Sequence, residues 1–217
     1  MIVLAIEKLT LGYQKDPLFN QFSHAFTLGC HIIQGGNGVG KSTLLSAVSG
    51  SLPYKGRILV NGHELSENGV AARRSLGFVP DSTEFYPFVT GRQFAEFVFR
   101  AHKCGLAANQ PRYEELIDRF NIRKYLNYSF SQMSLGTRKK FFIFTAMLLQ
   151  PLLLVMDEPF NGLDDAASKE LIELFDEYSR RSTILLTCHQ PAIVECIKGI
   201  RWTLEEAPHA ALTASQS

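Results

Sequence analysis

A glycine-rich run that contains a lysine and two hydroxyl side chains is the segment of this sequence best suited to chemistry. It matches the spacing Gly-x-x-x-x-Gly-Lys-Ser/Thr of a phosphate-binding loop, and its members are Gly35, Gly36, Asn37, Gly38, Val39, Gly40, Lys41, Ser42 and Thr43. A short apolar run, 31–33, precedes it and a helix-like run, 44–48, follows it. Glycines let successive backbone amides converge on an anion, and the helix start adds partial positive charge. The pattern predicts that Lys41 reaches the β- and γ-phosphates of a nucleotide and that Ser42 binds Mg²⁺.

A pair of carboxylates follows an apolar stretch in the second half of the sequence. Residues 152–156 are all apolar, as in a strand buried on both faces, and Asp157 and Glu158 come directly after them. In an open α/β sheet such a strand end faces the phosphate loop. We expect Asp157 to hold Mg²⁺ opposite Ser42, directly or through water, and Glu158 to act as general base on an attacking water. Taken singly, the two motifs have simpler explanations, a loop that binds nothing and an acidic pair at the surface.

A histidine and a helix start indicate a function only in combination with the phosphate loop and the acidic pair. His189 comes just after the apolar strand pattern 183–187, from where its imidazole would reach the γ-phosphate and the attacking water. A lone histidine at a strand end is more often structural. Ser134 and Gly136 open a helix predicted from Thr137, and a helix start attracts anions, although an ordinary capped helix has the same pattern.

Length and composition limit the class of protein. The chain has 217 residues, of which 46% are hydrophobic, enough for a sizeable core. With 22 basic and 21 acidic residues the net charge is +1, which gives no electrostatic basis for nucleic-acid binding. No apolar run approaches the ~18–20 residues of a membrane span, and residues 1–7 are too short for a signal peptide. Four cysteines without a Cys-x-x-Cys pair indicate free thiols, so we expect a cytosolic protein.

The order of predicted elements indicates an α/β fold. Strand patterns in the first third cover residues 2–10, 32–34, 57–60 and 76–79, and Asn61-Gly62 predicts a hairpin turn. Residues 90–128 are helical in pattern, apart from 104–111, which are predicted to be a loop because Gly105, Asn109 and Pro111 interrupt them. The later pattern alternates as helix 137–149, strand 152–156, helix 166–180, strand 183–187, helix 191–196 and a last strand at 200–204.

This order predicts one domain over residues 1–217, with a phosphate-loop NTPase core that has a mostly parallel sheet. Residues 1–81 and 134–205 would form the core, with an antiparallel β portion near the N-terminus. Residues 82–133 would form an inserted helical lobe, and the Ala/Ser/Thr-rich tail 206–217 would be frayed.

Together these motifs resemble those of the ATP-binding cassette (ABC) family of ATPases, in the family's order from Tyr13 to His189. Residues 133–137, Met-Ser-Leu-Gly-Thr, resemble the family's signature Leu-Ser-Gly-Gly-Gln, and residues 161–164, Asn-Gly-Leu-Asp, resemble its D-loop. Tyr13 stands where the family has an aromatic side chain that stacks on adenine. The signature, the D-loop and the histidine together separate this family from other phosphate-loop NTPases.

The resemblance implies that two cassettes face each other head to tail around two ATP molecules with Mg²⁺. The signature residues Ser134, Leu135, Gly136 and Thr137 would then contact the γ-phosphate held by the other cassette, and Asp164 would belong to the D-loop. The second cassette would be a second copy or a related chain. The implied role is the ATP-hydrolysing motor of an ABC transporter, on the inner face of the membrane through an integral permease subunit.

Four positions, in three motifs, depart from the family's common pattern. In the signature, Leu135 replaces a Gly and Thr137 replaces Gln, while Ser134 and Gly136 remain. The phosphate loop has Gly36 where many members have Pro or Ser. Asp81 stands where the Q-loop usually has Gln, and its charge would either strengthen the contact with Mg²⁺ or repel the γ-phosphate. We expect Asp81 to sense the metal.

The kind of ABC protein is less constrained. The aromatic segment 84–88, Glu-Phe-Tyr-Pro-Phe, is either a receptor for a membrane partner or part of the packing of the lobe. Residues 85–92, Phe-Tyr-Pro-Phe-Val-Thr-Gly-Arg, resemble bacterial exporter-type cassettes, which favours export over import. One alternative is a soluble ABC ATPase acting on translation or DNA, but such proteins usually carry two fused cassettes or long insertions. Another is a cassette without turnover, which the intact Lys41, Asp157, Glu158 and His189 argue against.

Overall fold

Two β-sheets and the helices between and around them build the fold, and the computed structural model describes residues 1–13, 16–83, 86–103, 106–205 and 211–214. The strands are β1 (Ile2–Tyr13), β2 (Asp16–Thr27), β3 (Gly29–Gln34), β4 (Lys55–Val60), β5 (His63–Glu64), β6 (Leu76–Val79), β7 (Leu153–Met156), β8 (Thr183–Thr187), β9 (Ile200–Leu204) and β10 (Leu212–Ala214). The helices are α1 (Lys41–Val48), α2 (Gly69–Arg74), α3 (Gly91–Ala101), α4 (Leu106–Arg119), α5 (Leu135–Leu148), α6 (Asp165–Tyr178) and α7 (Pro191–Cys196). The predicted α/β class is therefore confirmed.

The larger sheet positions the chemistry. Its order is β10-β9-β3-β8-β7-β6, and all neighbouring strands run parallel except β10, which is antiparallel to β9 at the edge. Every residue of β7 and β8 is buried, as expected for parallel strands covered on both faces. The carboxyl ends of β3, β6, β7 and β8 consequently meet at one edge of the sheet, which is where ligands bind in open α/β sheets.

Alternate residues of the central strands serve two separate cores. Leu154 and Met156 of β7 pack with the helical lobe, α5 and α6, whereas Leu153 and Val155 pack with the antiparallel sheet and α1. This alternation follows from the period of two along a strand. Helix α1 therefore lies in the core shared by the two sheets, which holds the start of that helix firmly against the sheet edge.

The smaller sheet has the order β2-β1-β4-β5 and is antiparallel throughout. The predicted hairpin at Asn61-Gly62 is confirmed, since it joins β4 to β5 and both residues have positive φ. Strand β2 was not predicted from the sequence. Its side chains Phe22 and Phe26 are buried at an even spacing. Register shifts against β1 interrupt the alternation of buried and exposed residues before Phe22, so the sequence pattern does not indicate a strand.

The predicted loop over residues 104–111 is wrong for residues 106–111, which belong to α4; residues 104 and 105 lie outside the described part of the chain. Pro111 sits inside this helix and removes one backbone hydrogen bond, at a cost of roughly 3 kcal/mol. Later in the helix Leu116 and Ile117 are fully buried, at about 1.5–3 kcal/mol each. Burial of the helix face thus outweighs the proline.

Other element bounds differ from the prediction in smaller ways. Helix α5 begins at Leu135 rather than Thr137, and the short helix α2 was not predicted. Strand β9 is not the last, because β10 pairs with it inside the segment expected to be a frayed tail. Residues 206–210 and 215–217 of that tail lie outside the described residues.

The described helices include none with the length and apolar character that a membrane crossing requires.

A buried tyrosine attaches the helical lobe to the core. The Tyr178 hydroxyl donates to the Met147 carbonyl oxygen at 2.6 Å and accepts from Arg112 Nη2 of α4 at 2.7 Å. The guanidinium groups of Arg112 and Arg181 lie 5.1 and 5.0 Å from its ring centre. Nearby, Arg119 of α4 pairs with Glu177 of α6 at 2.7 Å. Hydrogen bonds, stacking and charge thus converge where α4 meets α6.

Replacing Tyr178 by Phe should lower the free energy of unfolding by about 1–3 kcal/mol, because the Met147 carbonyl loses its hydroxyl partner in a buried setting. Urea unfolding followed by circular dichroism measures the change. Tyr128→Phe is the matched control, since Tyr128 is exposed and should shift stability little. Equal unfolding midpoints for the two variants would contradict this account.

Candidate active site

The phosphate-binding loop lies between the end of β3 and the start of α1. Gly35, Gly38 and Gly40 all have positive φ, a conformation that favours glycine. A Cβ at Gly40 would lie 2.9 Å from the Phe19 ring, so the loop approaches the antiparallel sheet too closely for a side chain. The backbone amides at the start of α1 have no side-chain cap. They can therefore donate to an anion.

Lys41 is folded back over this loop. Its Nζ donates to the carbonyl oxygens of Gly35 and Gly36, at 2.9 and 2.7 Å, and the residue is buried. Burial lowers the pKa of Lys41, while the nearby carboxylates of Glu158 and Asp157 act in the opposite direction. The ammonium group is thus held inside the loop.

Asp157 and Glu158 are positioned by the neighbouring strands. The Asp157 amide donates to the carbonyl oxygen of Val79 on β6, at 2.8 Å. The Thr187 hydroxyl at the end of β8 donates to Asp157 Oδ1 at 2.7 Å and accepts from the Glu158 amide at 2.9 Å. One hydroxyl group therefore fixes the positions of both acidic residues. Sequence reasoning missed Thr187, although its place at the end of a predicted strand was a signal.

Glu158 has φ of +46°, in the left-handed region that few non-glycine residues adopt and that often marks functional sites. Its carboxylate accepts from the His189 amide at 3.2 Å and lies 3.3 Å from His189 Nε2. Burial raises the pKa of Glu158, and His189 opposes this shift. A raised pKa brings a carboxylate closer to the range in which it works as a general base near neutral pH.

A single cleft of about 320 Å³ brings the predicted groups together. Its lining consists of Asn37, Gly38, Gly40, Lys41, Ser42, Thr43, Asp81, Asp157, Glu158, Asn161 and His189. Asn161 was expected only as part of the D-loop, yet its Nδ2 donates to Asp81 Oδ1 at 3.2 Å. The cleft therefore joins the phosphate loop to the ends of three other strands.

The donor set of this cleft suits Mg²⁺. Ser42, Asp157 and Asp81 supply hard oxygen ligands around it. No group of three or more His, Cys, Asp or Glu side chains able to hold a metal occurs among residues 1–13, 16–83, 86–103, 106–205 and 211–214. Mg²⁺ commonly takes one or two carboxylates and completes its shell with water and phosphate oxygens. The residues present therefore fit that mode of binding.

The signature residues lie apart from the cleft of their own chain. None of residues 134–137 is among the described residues that line it. Ser134 caps α5, because its hydroxyl accepts from the Thr137 amide at 3.2 Å. Leu135, in the place of the usual Gly, is 47% exposed. Ser134 and Gly136 therefore do not contribute to the cleft of their own chain.

The signature instead packs against the D-loop of its own chain. A Cβ at Gly136 would overlap the carbonyl oxygen of Gly162, so only glycine fits there. Asp164 accepts from Lys140 Nζ of α5 at 2.7 Å and caps α6 through the Ala167 amide at 2.8 Å. These contacts make the two segments one surface.

Two predicted features fall outside the described part of the chain. Tyr13 ends β1, but its side chain is not described, and neither are Glu84 and Phe85. Their proposed contacts with adenine and with a partner stay predictions.

Comparisons with known proteins identify the family to which this chain is similar. The sequence profile of the family described as ABC transporter matches residues 26–161. The ABC-type transporter ATP-binding protein EcsA of Bacillus subtilis is 30% identical over 200 residues, covering 90% of this chain and 80% of EcsA. The linearmycin resistance ATP-binding protein LnrL of the same organism is 26% identical over 196 residues, covering 89% of this chain and 63% of LnrL.

A solved structure of an ATP binding subunit of an ABC transporter superposes with a TM-score of 0.89 at 26% identity. The superposition covers 98% of this chain and 90% of that one. Likeness of sequence and of fold over nearly the whole length shows that this chain belongs to the ABC transporter family, as one of its ATP-binding, ATP-hydrolysing proteins.

Proposed function

We propose that this chain is the motor subunit of an ABC transporter, and that it couples the binding and hydrolysis of Mg-ATP to transport by a separate membrane subunit. One observation carries the proposal: a single cleft joins a phosphate-binding loop to a buried acidic pair and a histidine. Each group comes from the end of a different strand, so together they can surround a bound phosphate and the water that attacks it.

Phosphate oxygens would replace backbone carbonyl oxygens as the hydrogen-bond acceptors of Lys41. In the present arrangement its ammonium is held by two backbone carbonyls. A triphosphate on the loop amides would offer charged acceptors instead, and these bind an ammonium more strongly. Ser42 and Asp157 would hold Mg²⁺, with Asp81 beside them. When bound, Mg²⁺ neutralises charge that develops on the β- and γ-phosphate oxygens.

Glu158 and His189 would prepare the attacking water. The Glu158 carboxylate, of raised pKa, would accept a hydrogen bond from that water and take its proton. His189 is within contact distance of Glu158 and would orient both the water and the γ-phosphate. Catalysis would come from position and charge, without a covalent intermediate.

Two cassettes are proposed to act together, as a homodimer or with a related chain. Ser134 and Gly136 lie away from the cleft of their own chain, and the neighbouring Leu135 is exposed. This geometry supports contact with ATP bound to the other cassette. Because the signature packs on the D-loop, the two segments would form one face that each cassette presents to the other.

A separate apolar groove supports a membrane partner. It has a volume of about 500 Å³ and lies between β6, α3 and α5. Tyr86, Phe94 and Phe97 contribute to its lining, and Phe97 is 61% exposed. A helix of an integral membrane subunit could bury these rings, which would place the chain on the inner face of the membrane. Export is favoured, and the relative LnrL is named for linearmycin resistance.

Glu158→Gln should keep Mg-ATP binding, lose turnover by at least ~10²-fold and accumulate a dimer with ATP, because Gln cannot accept the water's proton. Phosphate release and light scattering with size exclusion measure both effects. Glu195→Gln, an exposed site on α7, is the matched control and should resemble the unmodified chain. A monomeric, fully active Glu158→Gln variant would refute the assignment.

Mixing two inactive variants tests the action in trans. Ser134→Ala lacks the signature hydroxyl and Glu158→Gln lacks the base, so each alone should turn over poorly. In a mixed dimer one site keeps the base of one chain and the serine of the other. An equal mixture should recover about a quarter of the unmodified turnover, since half of the dimers are mixed and each has one intact site.

Thr90→Ala is the control for the lost helix cap, since Thr90 caps α3 as Ser134 caps α5. It should lower stability by about 0.5–2 kcal/mol without stopping turnover. Recovery of no activity on mixing would contradict action in trans between two copies of this chain.

Phe97→Glu should detach the chain from membranes and leave Mg-ATP binding unchanged, because a buried carboxylate in the partner interface would be unpaired. Sedimentation of membranes from cells that contain the whole transporter measures the bound fraction. Val70→Glu, at an exposed site on α2, is the matched control. Unchanged membrane binding of Phe97→Glu would exclude this groove as the contact with the membrane subunit, and an unmodified chain that does not sediment with membranes would favour a soluble ABC ATPase.

A further inference from the structure

Lys139 is a charged residue that is fully buried, in the second turn of α5. Burying an ammonium group is costly unless charges and hydrogen bonds compensate it. Helix α5 also carries Ser134 as its cap, so Lys139 lies on the element that presents the signature. Neither the family motifs nor the proposed mechanism uses this lysine.

The partners of Lys139 belong to the segment that follows β6. Its Nζ donates to the carbonyl oxygens of Pro80 and Asp81, at 3.0 and 2.8 Å. The same Nζ lies 3.8 Å from Asp81 Oδ1, an ion-pair contact beyond hydrogen-bond range. Lys139 therefore holds both the backbone and the charge of Asp81.

Asp81 is the residue through which this contact reaches the cleft. Its carboxylate is 56% exposed, lines the cleft and accepts from Asn161. Where the resemblance leads one to expect a neutral Gln, this cleft has an additional negative charge that would face a triphosphate. The negative charges of a carboxylate and of a phosphate in the same cleft repel each other appreciably when the site is partly buried.

We infer that Lys139 is a positioning residue that neutralises Asp81 and so allows an aspartate to stand beside the phosphates of ATP. Two backbone carbonyls fix the ammonium, and the Asp81 carboxylate is the anion within ion-pair distance. Burial lowers the pKa of Lys139, while the carboxylates of Asp81, Asp157 and Glu158 act in the opposite direction. The inference rests on the proposed placement of Mg-ATP in this cleft.

The competing role for Lys139 is that of a simple anchor for the backbone after β6. The two roles differ in how they depend on the charge of Asp81. If Lys139 offsets that charge, removing the lysine should matter much less once Asp81 is replaced by a neutral residue. If it only anchors the backbone, the loss should be the same in the unmodified and the Asp81→Gln backgrounds, because the carbonyl acceptors are unchanged.

The test is a double-mutant cycle in the full chain with Lys139→Met, Asp81→Gln and the double variant. Binding of a fluorescent ATP analogue with Mg²⁺ is measured beside kcat and KM for phosphate release. Lys139→Met alone should weaken binding and raise KM by about tenfold, with a smaller change in kcat, as expected for a coupling between contacting charges. In the Asp81→Gln background the same change should have less than about a twofold effect.

Lys198→Met is the matched control. Lys198 is exposed, and its Nζ pairs with Asp176 Oδ2 at 2.5 Å. Its replacement should change neither ATP binding nor the kinetic constants. Lys139→Gln is a second variant that keeps an N–H donor for the carbonyls but lacks the charge, and it should behave as Lys139→Met does. Thermal unfolding shows whether each variant folds. If Lys139 variants fold only together with Asp81→Gln, that rescue also supports the inference.

Equal losses in both backgrounds, whether of binding or of folding, would overturn the inference and leave a backbone anchor. Failure of the proposed function has a different signature. It would show as an unmodified chain that does not bind the ATP analogue, or as a Glu158→Gln variant with full turnover.

Discussion

The buried parallel strands β3, β8, β7 and β6 end at one edge of the sheet, and every group in the cleft depends on that edge. Their side chains pack into cores on both faces, so the strands can shift little relative to each other. The Thr187 hydroxyl then joins β8 to the Asp157 and Glu158 pair of β7. Rigid backbone and one shared hydroxyl thus set the acidic groups opposite the phosphate loop.

Helix α5 connects this cleft to surfaces elsewhere on the molecule. Its start carries the signature, Lys140 binds the D-loop aspartate, and Lys139 holds the segment after β6. Its apolar side chains also line the groove proposed for a membrane partner. A small displacement of this one helix would therefore reach the cleft, the face proposed to contact a second cassette, and the groove together. Packed cores transmit such displacements because they resist local deformation.

The active-site motifs were predictable because their chemistry depends on neighbours in sequence. Glycines at fixed spacing before Lys41, and two acids directly after an apolar strand, specify their local geometry with little help from the rest of the chain. Strands of buried residues were predictable for a similar reason. Strand β2, by contrast, has its alternation of buried and exposed residues interrupted by register shifts. Helix α4 contains a proline, which local propensity predicts to end a helix.

Contacts between distant segments could not be predicted in the same way. Thr187, Asn161 and Lys139 have ordinary local patterns, and their roles arise only where separate strands and helices meet. Strand β10 forms because β9 offers it an edge, although its own composition favours a loose tail.

The amino-acid sequence alone determined the fold class, the family and most of the groups that line the cleft, because these follow from short-range spacing and hydrophobic period. Only the tertiary structure decided which side chains hold those groups, and that the signature residues do not line the cleft of their own chain. Such contacts join residues far apart in the chain, and their distances depend on the packing of the whole core.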